Sequence, residues 1–335
     1  MAKQVMVLGM MLAVASATAN AEQRVEVPTT YEAGHFYATP TLANGQKLRL
    51  LVDTGGGGIS GWLVLSKAVV GRAGLQTRSC TLDGESFDVV TALDYRPGQG
   101  LPVLGSGPCD APGLVVPYPS LDQVDGQLGA GYLPGHVWTF DYPAQKLWLE
   151  PATWQPSSAM HRVALGFPHN DKGEVARGFG RIAARIGDET FQFLLDTGAT
   201  SHPTQAGKAV EEVAANGVGV TSYITTSQLD HWHRAHPQWR VVTEGDDVMS
   251  AKFGSRRLIE VPNLTVGAWT VGPIWFTERP DANFDTAPGH MSSFMDAPIA
   301  GALGGNVFQH FRMTIDYPHA NAWLACVKGC KAAAQ

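Results

Sequence analysis

Residues 50–62 read LLVDTGGGGISGW. Three apolar residues, Leu50 to Val52, run straight into Asp53, and after Thr54 come four consecutive glycines, Gly55 to Gly58. A carboxylate at the end of an apolar run is costly unless hydrogen-bond donors surround it. Glycines can supply them, because without a Cβ the backbone N–H groups come close to the charge. The stretch therefore predicts a functional acid, although a strand followed by a flexible surface turn fits the same residues taken alone.

The stretch occurs twice. Residues 191–202, FQFLLDTGATSH, repeat the design of apolar positions, Asp-Thr-Gly and small residues, with Asp196 standing 143 residues after Asp53. The surroundings repeat as well. Ser66 is placed to cap a short helix after the first copy, and Gln205 to Asn216 has a helical composition after the second, with Gly217 where a helix would stop. Further on, GQLGAGYLPGHVWTFDYPAQKLWL (126–149) aligns without gaps to GALGGNVFQHFRMTIDYPHANAWL (301–324) at an offset of 175. Each copy reads as an apolar-Gly element, a short segment, a strand, a Tyr-Pro turn and another strand. Two linked matches in one order predict a duplicated domain. The offsets of 175 and 143 differ by 32 residues, which the second copy carries in Leu229 to Arg240 and Glu278 to Ala297. Pro151 to Ser158 has the Pro and Ser content of a linker, giving one lobe over about 22–154 and a second over about 155–335.

Composition agrees with this division. A chain of 335 residues is long for one core, and its 38 Gly and 21 Pro with few charges are the profile of a turn-rich β protein. Basic stripes with interleaved aromatics are absent from the sequence, so nucleic acid is not expected as a partner. Residues 1–21 read as a signal peptide: Lys3, an apolar stretch from Val5 to Ala15, then Ala19-Asn20-Ala21 as the cleavage pattern. That stretch is too short to span a bilayer, and no membrane partner is expected. The mature chain would begin near Glu22, exported to the periplasm or secreted, and losing Lys3 moves its formal charge from −6 to −7. Four cysteines fit an exported protein with two disulfides. Chain order suggests Cys80–Cys109 and Cys326–Cys330, although four cysteines permit three pairings. Cys326-x-x-x-Cys330 lacks a second ligand pair nearby, which favours a disulfide over half a metal site.

At this point the chain resembles a family, the two-lobed aspartic proteases and their retroviral-type relatives, in a bacterial, exported form. The resemblance spans nearly all of residues 22–335. It rests on Asp53-Thr54-Gly55, Asp196-Thr197-Gly198, and the elements Gln127-Leu128-Gly129 and Ala302-Leu303-Gly304; GYLPGHVWTFDY and GNVFQHFRMTIDY look like the end of the bacterial retropepsin-like domain. It implies an all-β, bilobal fold of two duplicated retropepsin-like β-barrel lobes with few short helices. It also implies a monomeric aspartic endopeptidase acting on peptide or protein substrates, with no cofactor and no metal. Asp53 and Asp196 would be the catalytic pair, sharing a proton because two adjacent carboxyls cannot both ionise easily. Which of them holds it stays open at this stage. Thr54 and Thr197 would link the two loops through their hydroxyls, and Gly55 and Gly198 would let backbone N–H groups reach the carboxylates. A relative that keeps the fold as an inactive binding or inhibitor protein is the alternative.

Three departures carry expectations. Gln127 stands where an apolar residue is usual. Gly56 and Ala199 follow the two Asp-Thr-Gly triplets where pepsin-like chains usually carry a hydroxyl that donates to the carboxylate, which predicts a pair titrating higher and an optimum less acidic than pepsin's. The glycines also predict a more mobile first loop. Only 31 residues separate Glu22 from Asp53, leaving no room for a basic prosegment, so the enzyme is expected to emerge active. A flap would carry Tyr95, 42 residues after Asp53, with Trp62 as its partner; the alternative makes Tyr95 an ordinary strand residue and puts the hairpin tip at Asp83-Gly84. His231, His233 and His236 could bind zinc or copper with Asp230, but their spacing matches no metal motif, and a solvated or substrate-contacting loop is favoured. His202 reads as structural, and Asn263-Leu264-Thr265 is a glycosylation sequon. Serine, zinc and nucleotide chemistries lack a motif.

Overall fold

The structure is a computed structural model that describes residues 23–333, apart from 58–60, 83, 103, 105–106, 118–122, 249–251 and 253. The expected signal peptide, 1–21, lies outside the described residues, as do Gly58 and Asp83. The chain is mostly β-structure with a few short helices.

Two Asp-Thr-Gly loops close two sets of strands paired in matching order. In the first half, Leu50–Asp53 runs parallel to Gly126–Gly129, which is antiparallel to Leu63–Ser66, which in turn runs parallel to Gly113–Val116. In the second half, Glu189–Leu195 runs parallel to Gly301–Leu303, which is antiparallel to Ser222–Thr225, itself parallel to Ile274–Arg279. Each set continues into a hairpin, Thr77–Leu82 with Glu85–Val90 and Val241–Asp246 with Arg256–Val261. Among the described residues these pairings run as paths with two ends.

Between the two sets lies a shared antiparallel layer, in the order Val25–Val27, Lys146–Glu150, Val137–Asp141, Phe311–Asp316, Asn321–Cys326 and His161–Gly166. Its central strand, Val-Trp-Thr-Phe-Asp, is buried at all five positions, which explains a near-continuous apolar run in place of strict alternation. At its middle Thr139 pairs with Thr314, hydroxyl to hydroxyl at 2.8 Å. These two residues sit 175 apart, the offset of the sequence repeat, so equivalent positions of the two copies pair directly in this layer. Trp138, Phe140, Phe311 and Met313 pack around this seam in one large core, each such side chain contributing about 1.5–3 kcal/mol of burial.

Local signals explain the helices. Helix α1, Lys67–Ala73, begins where the Ser66 hydroxyl accepts the Val69 N–H and ends at Gly74 in the left-handed region, as the expected cap requires. Over Gln205–Asn216 the composition misleads. The chain makes a single 3-10 turn at Gly207–Ala209, then a tight turn in which the Ala214 N–H donates to Val218 C=O at 2.8 Å. Gly207 lies so close to the Gly245 carbonyl that a Cβ would come within 2.1 Å of it, and Gly217, at φ +84°, reverses the chain. Close packing on the Val241–Asp246 strand thus overrides the helical composition. The converse correction falls on the histidine segment. Most of it belongs to helix α2, Thr226–Ala235, whose Leu229 and Trp232 are buried one turn apart, and the helix stops at His236 before Pro237. Helix α3, Gly305–Phe308, follows the second apolar-Gly element.

Both disulfides form in the order expected, Cys80–Cys109 and Cys326–Cys330, chemistry that suits an oxidising compartment. No helix among the described residues is long and apolar enough to cross a membrane.

Candidate active site

Asp53 ends its strand and Asp196 follows directly on Leu195, so the parallel partner strands fix where each loop leaves the sheet. The Asp196 N–H donates to Leu303 C=O at 2.9 Å, and Asp53 lies opposite Gly129 in register. The loops interlock through their threonines. The Thr54 hydroxyl donates to Leu195 C=O at 2.6 Å and accepts the Thr197 N–H at 3.0 Å. The Thr197 hydroxyl donates to Val52 C=O at 2.7 Å and accepts the Thr54 N–H at 3.2 Å. All of these groups are buried, so each bond lost would orphan a backbone group away from water.

The glycines bring the carboxylates together. A Cβ built on Gly55 would stand 2.4 Å from Asp196 Cγ, and one on Gly198 would stand 2.3 Å from Asp53 Cγ. Each triplet glycine therefore packs on the opposite carboxylate, and no other residue fits there. Asp53 Oδ1 accepts the Gly55 N–H at 2.9 Å, and Asp196 Oδ1 accepts the Gly198 N–H at 3.0 Å. The glycine-rich continuation, expected to be mobile, is tied where it is described: Ala130 N–H donates to Gly56 C=O at 2.8 Å and Gly131 N–H to Gly57 C=O at 2.7 Å.

Electrostatics separate the two acids. Burial, then the charge of Asp53, hold the Asp196 carboxyl well above the usual carboxylate range. Burial also raises Asp53, but hydrogen bonds from Asp196 and from the Gly55 and Gly56 N–H groups pull it back. Each half also contributes a buried tyrosine from its Asp-Tyr-Pro turn. Tyr142 of the first half feels the charge of Asp196, and Tyr317 of the second feels that of Asp53; burial raises both phenols far above their ordinary range. A buried, protonatable carboxyl pair of this kind can pass one proton to and from a reacting group.

Sequence reasoning missed three contacts. The Gln127 amide Nε2 donates to Asp53 Oδ2 at 2.9 Å, and the only sign of it was a polar residue inside an apolar-Gly element. The donor missing at position 56 is thus supplied from another strand. His35 Nε2 lies 3.2 Å from Ala199 C=O, linking the Thr29–Ala38 hairpin to the second loop. The Tyr223 hydroxyl accepts the Thr200 N–H at 2.7 Å and donates to Thr200 C=O at 2.6 Å.

The other predicted residues lie elsewhere. Trp62 is fully buried, donates from its indole to Pro108 C=O at 3.2 Å and belongs to a small cluster with Cys80, Val89 and Leu114. Tyr95 bridges Leu42 in a loop packed on the main core, so the two do not form the expected pair. The hairpin of this half turns at Gly84, φ +84°, which matches the alternative that placed its tip at Asp83-Gly84. Tyr95 lines a cavity of about 550 Å³ with Leu63, Leu101, Tyr132, His136 and Tyr317. Neither aspartate lines that cavity, although Gly131, bonded to the first loop, and Tyr317 do. Of the three histidines, His231 lies 3.5 Å from Glu189, His236 stacks on Trp239, and His233 is exposed. Among the described residues no group of three or more His, Cys, Asp or Glu is arranged to hold a metal ion.

No protein-family model and no curated protein matches the chain. Among solved structures, it is similar to the crystal structure of basic 7S globulin from soybean, at 13% identity and a TM-score of 0.42, covering 90% of this chain and 94% of that one.

Proposed function

We propose that this chain is an exported, monomeric, two-lobed aspartic endopeptidase of the pepsin and retropepsin kind, with a lobe on either side of residues 154–155 and one catalytic aspartate from each. The observation that carries this reading is the mutual packing of Gly55 on Asp196 and Gly198 on Asp53, with both triplets interlocked by Thr54 and Thr197. Two buried carboxyls set against each other from separate halves cost stability, and acids with proton affinities shifted in this way cluster at functional sites.

In the reaction, the ionised carboxylate takes a proton from water as the water oxygen bonds to the peptide carbonyl carbon. The protonated carboxyl donates to the carbonyl oxygen as negative charge grows there. Collapse of the tetrahedral species breaks the C–N bond, and the proton held by the pair goes to the leaving nitrogen. The substrate would lie extended, its backbone paired like an added strand.

The test is cleavage of a denatured protein by residues 22–335 across acid to neutral pH, beside Asp53→Asn and Asp196→Asn. Each substitution is expected to lower the rate by about 10²- to 10⁴-fold while leaving the fold intact. A folded wild type as inert as its variants would refute hydrolysis and favour peptide binding without cutting.

A further inference from the structure

The two carboxylates are not held alike. Asp196 has the Gly198 N–H on Oδ1, and the second apolar-Gly strand carries Ala302, opposite Leu194, where the first carries Gln127, opposite Leu51; alanine offers no side-chain donor. Asp53 has the Gly55 N–H on Oδ1 and, in addition, the Gln127 amide on Oδ2 at 2.9 Å. Gln127 and Ala302 occupy the same position of the repeat, 175 residues apart, so the donor breaks an otherwise matching pair of sites.

Gly56 belongs to the same device. A Cβ there would stand 2.3 Å from Asp53 Oδ2 and 3.0 Å from Gln127 Nε2. A hydroxyl-bearing residue at 56 and the Gln127 amide thus compete for one space. The two departures from the family pattern, a glycine after the triplet and a glutamine in the apolar element, are explained by a single contact.

We infer that Gln127 is a positioning residue that fixes Asp53 as the ionised member of the pair and leaves the shared proton on Asp196. A donor on a carboxylate favours its charged form, and an amide nitrogen has no lone pair with which to favour the acid form. The reverse orientation of the amide would set its oxygen against Asp53 Oδ2, which repels an ionised Asp53 and suits only a protonated one, so the sign of the effect reports the orientation. Among the described residues, the titratable groups near the pair include Tyr317, whose charge couples to Asp53, Tyr142 and Tyr223, whose charges couple to Asp196, and His35, 3.2 Å from Ala199 C=O. All three phenols are raised by burial and stay neutral throughout an assay between acid and neutral pH. Arg279, which stacks on Tyr223 at 4.1 Å, is paired with Asp246 at 3.3 Å. The catalytic meaning of the assignment rests on the protease reading; the hydrogen bond itself does not.

Two measurements separate these. In an Asp196→Asn chain, where Asp53 titrates alone, the carbon-13 carboxyl signal of Asp53 is followed against pH with and without Gln127→Met, which keeps the length and removes the donor. The proton affinity of Asp53 is expected to rise about tenfold, one pH unit in the midpoint. In the chain with both aspartates, Gln127→Met is expected to move the acid limb of the cleavage profile up by about one unit and leave the alkaline limb in place. Gln127→Leu, which restores an apolar residue, repeats both if the methionine variant fails to fold. An unmoved midpoint, or one that falls, overturns the inference even if the wild type cleaves. A raised midpoint beside a folded wild type that cuts nothing upholds the donor role and refutes the protease reading instead.

Discussion

The two Asp-Thr-Gly loops share a backbone and differ in what stands beside it. In the first half Gln127 lies opposite Val64 on the neighbouring strand; in the second half Ala302 lies opposite Tyr223. Each half thus spends one polar side chain at this strand pair, on opposite members. Gln127 reaches the carboxylate of Asp53, whereas Tyr223 reaches the backbone of Thr200, two residues past Gly198. The first loop continues into glycines held by backbone bonds to 130–131. The second continues into a short strand whose Thr200 carbonyl accepts from Arg279 and whose neighbour His202 donates its N–H to Asp246, the two charges forming a buried ion pair. Symmetry is kept where the loops interlock and abandoned where each acid is supported, which is what two acids with different protonation states require.

The largest effects should therefore be equal between halves. Gly55→Ala and Gly198→Ala each drive a Cβ to within 2.4 and 2.3 Å of the opposite carboxylate's Cγ. Each is expected to cost more than about 4 kcal/mol, the range of severe core strain, and to abolish cleavage. Thermal unfolding measured side by side tests the symmetry, and a variant that melts like the wild type would break it. Thr54→Val and Thr197→Val come next. Either one orphans a buried carbonyl and a buried N–H, at about 2 kcal/mol apiece, or about 4 kcal/mol per variant. Urea unfolding should give matching losses, and a clear difference would show that one loop leans on the other.

Much of this symmetric part was legible in the sequence. Asp53, Asp196, their threonines and glycines, and the match of 126–149 to 301–324 lie in contiguous stretches whose residue types state their roles. The Ser66 cap was legible for the same reason: a cap is decided within three residues. What failed to show depends on contacts between distant segments. Gln127 is 74 residues from Asp53, and nothing local says that its amide turns toward a carboxylate. The helical composition of 205–216 lost to the Gly245 backbone, and the histidine segment, read as a loop, became a helix because Leu229 and Trp232 found a core to cover. Tyr95 and Trp62 were paired by analogy of spacing, and spacing does not fix which apolar cluster a side chain joins.

The third effect should appear in the second half alone, and its sign depends on pH. Glu211 stands beside Ser201 and Thr221 with both carboxylate oxygens buried, and the hydroxyls of those two residues only partly offset the loss of water. Burial, then repulsion by Asp246, raise its pKa from 4.5 to about 7. A carboxyl raised on folding contributes most below its unfolded pKa and loses that contribution as pH rises through the folded one. Stability should thus fall between pH 4.5 and about 7, by about 3 kcal/mol in all. Glu211→Gln is expected to be the more stable protein above pH 7 by about that amount, and to match the wild type below pH 4.5. Unfolding free energies at pH 4 and pH 8 decide it, and a gap of the same size at both would rule out titration as the cause.

The smallest effect isolates the contact that answers Gln127. Tyr223→Phe removes the hydroxyl that holds both backbone groups of Thr200, but the Arg279 guanidinium still approaches the Thr200 carbonyl at 3.4 Å. One backbone N–H is then left without its partner, for a loss of about 1–2 kcal/mol. Because Tyr223 touches backbone and Gln127 touches the carboxylate, the two substitutions should part company in the pH profile. Tyr223→Phe should lower stability and leave the acid limb where it is, whereas Gln127→Met should move the limb. A limb that moves in both would mean that loop geometry, and not the amide donor, sets the protonation of the pair.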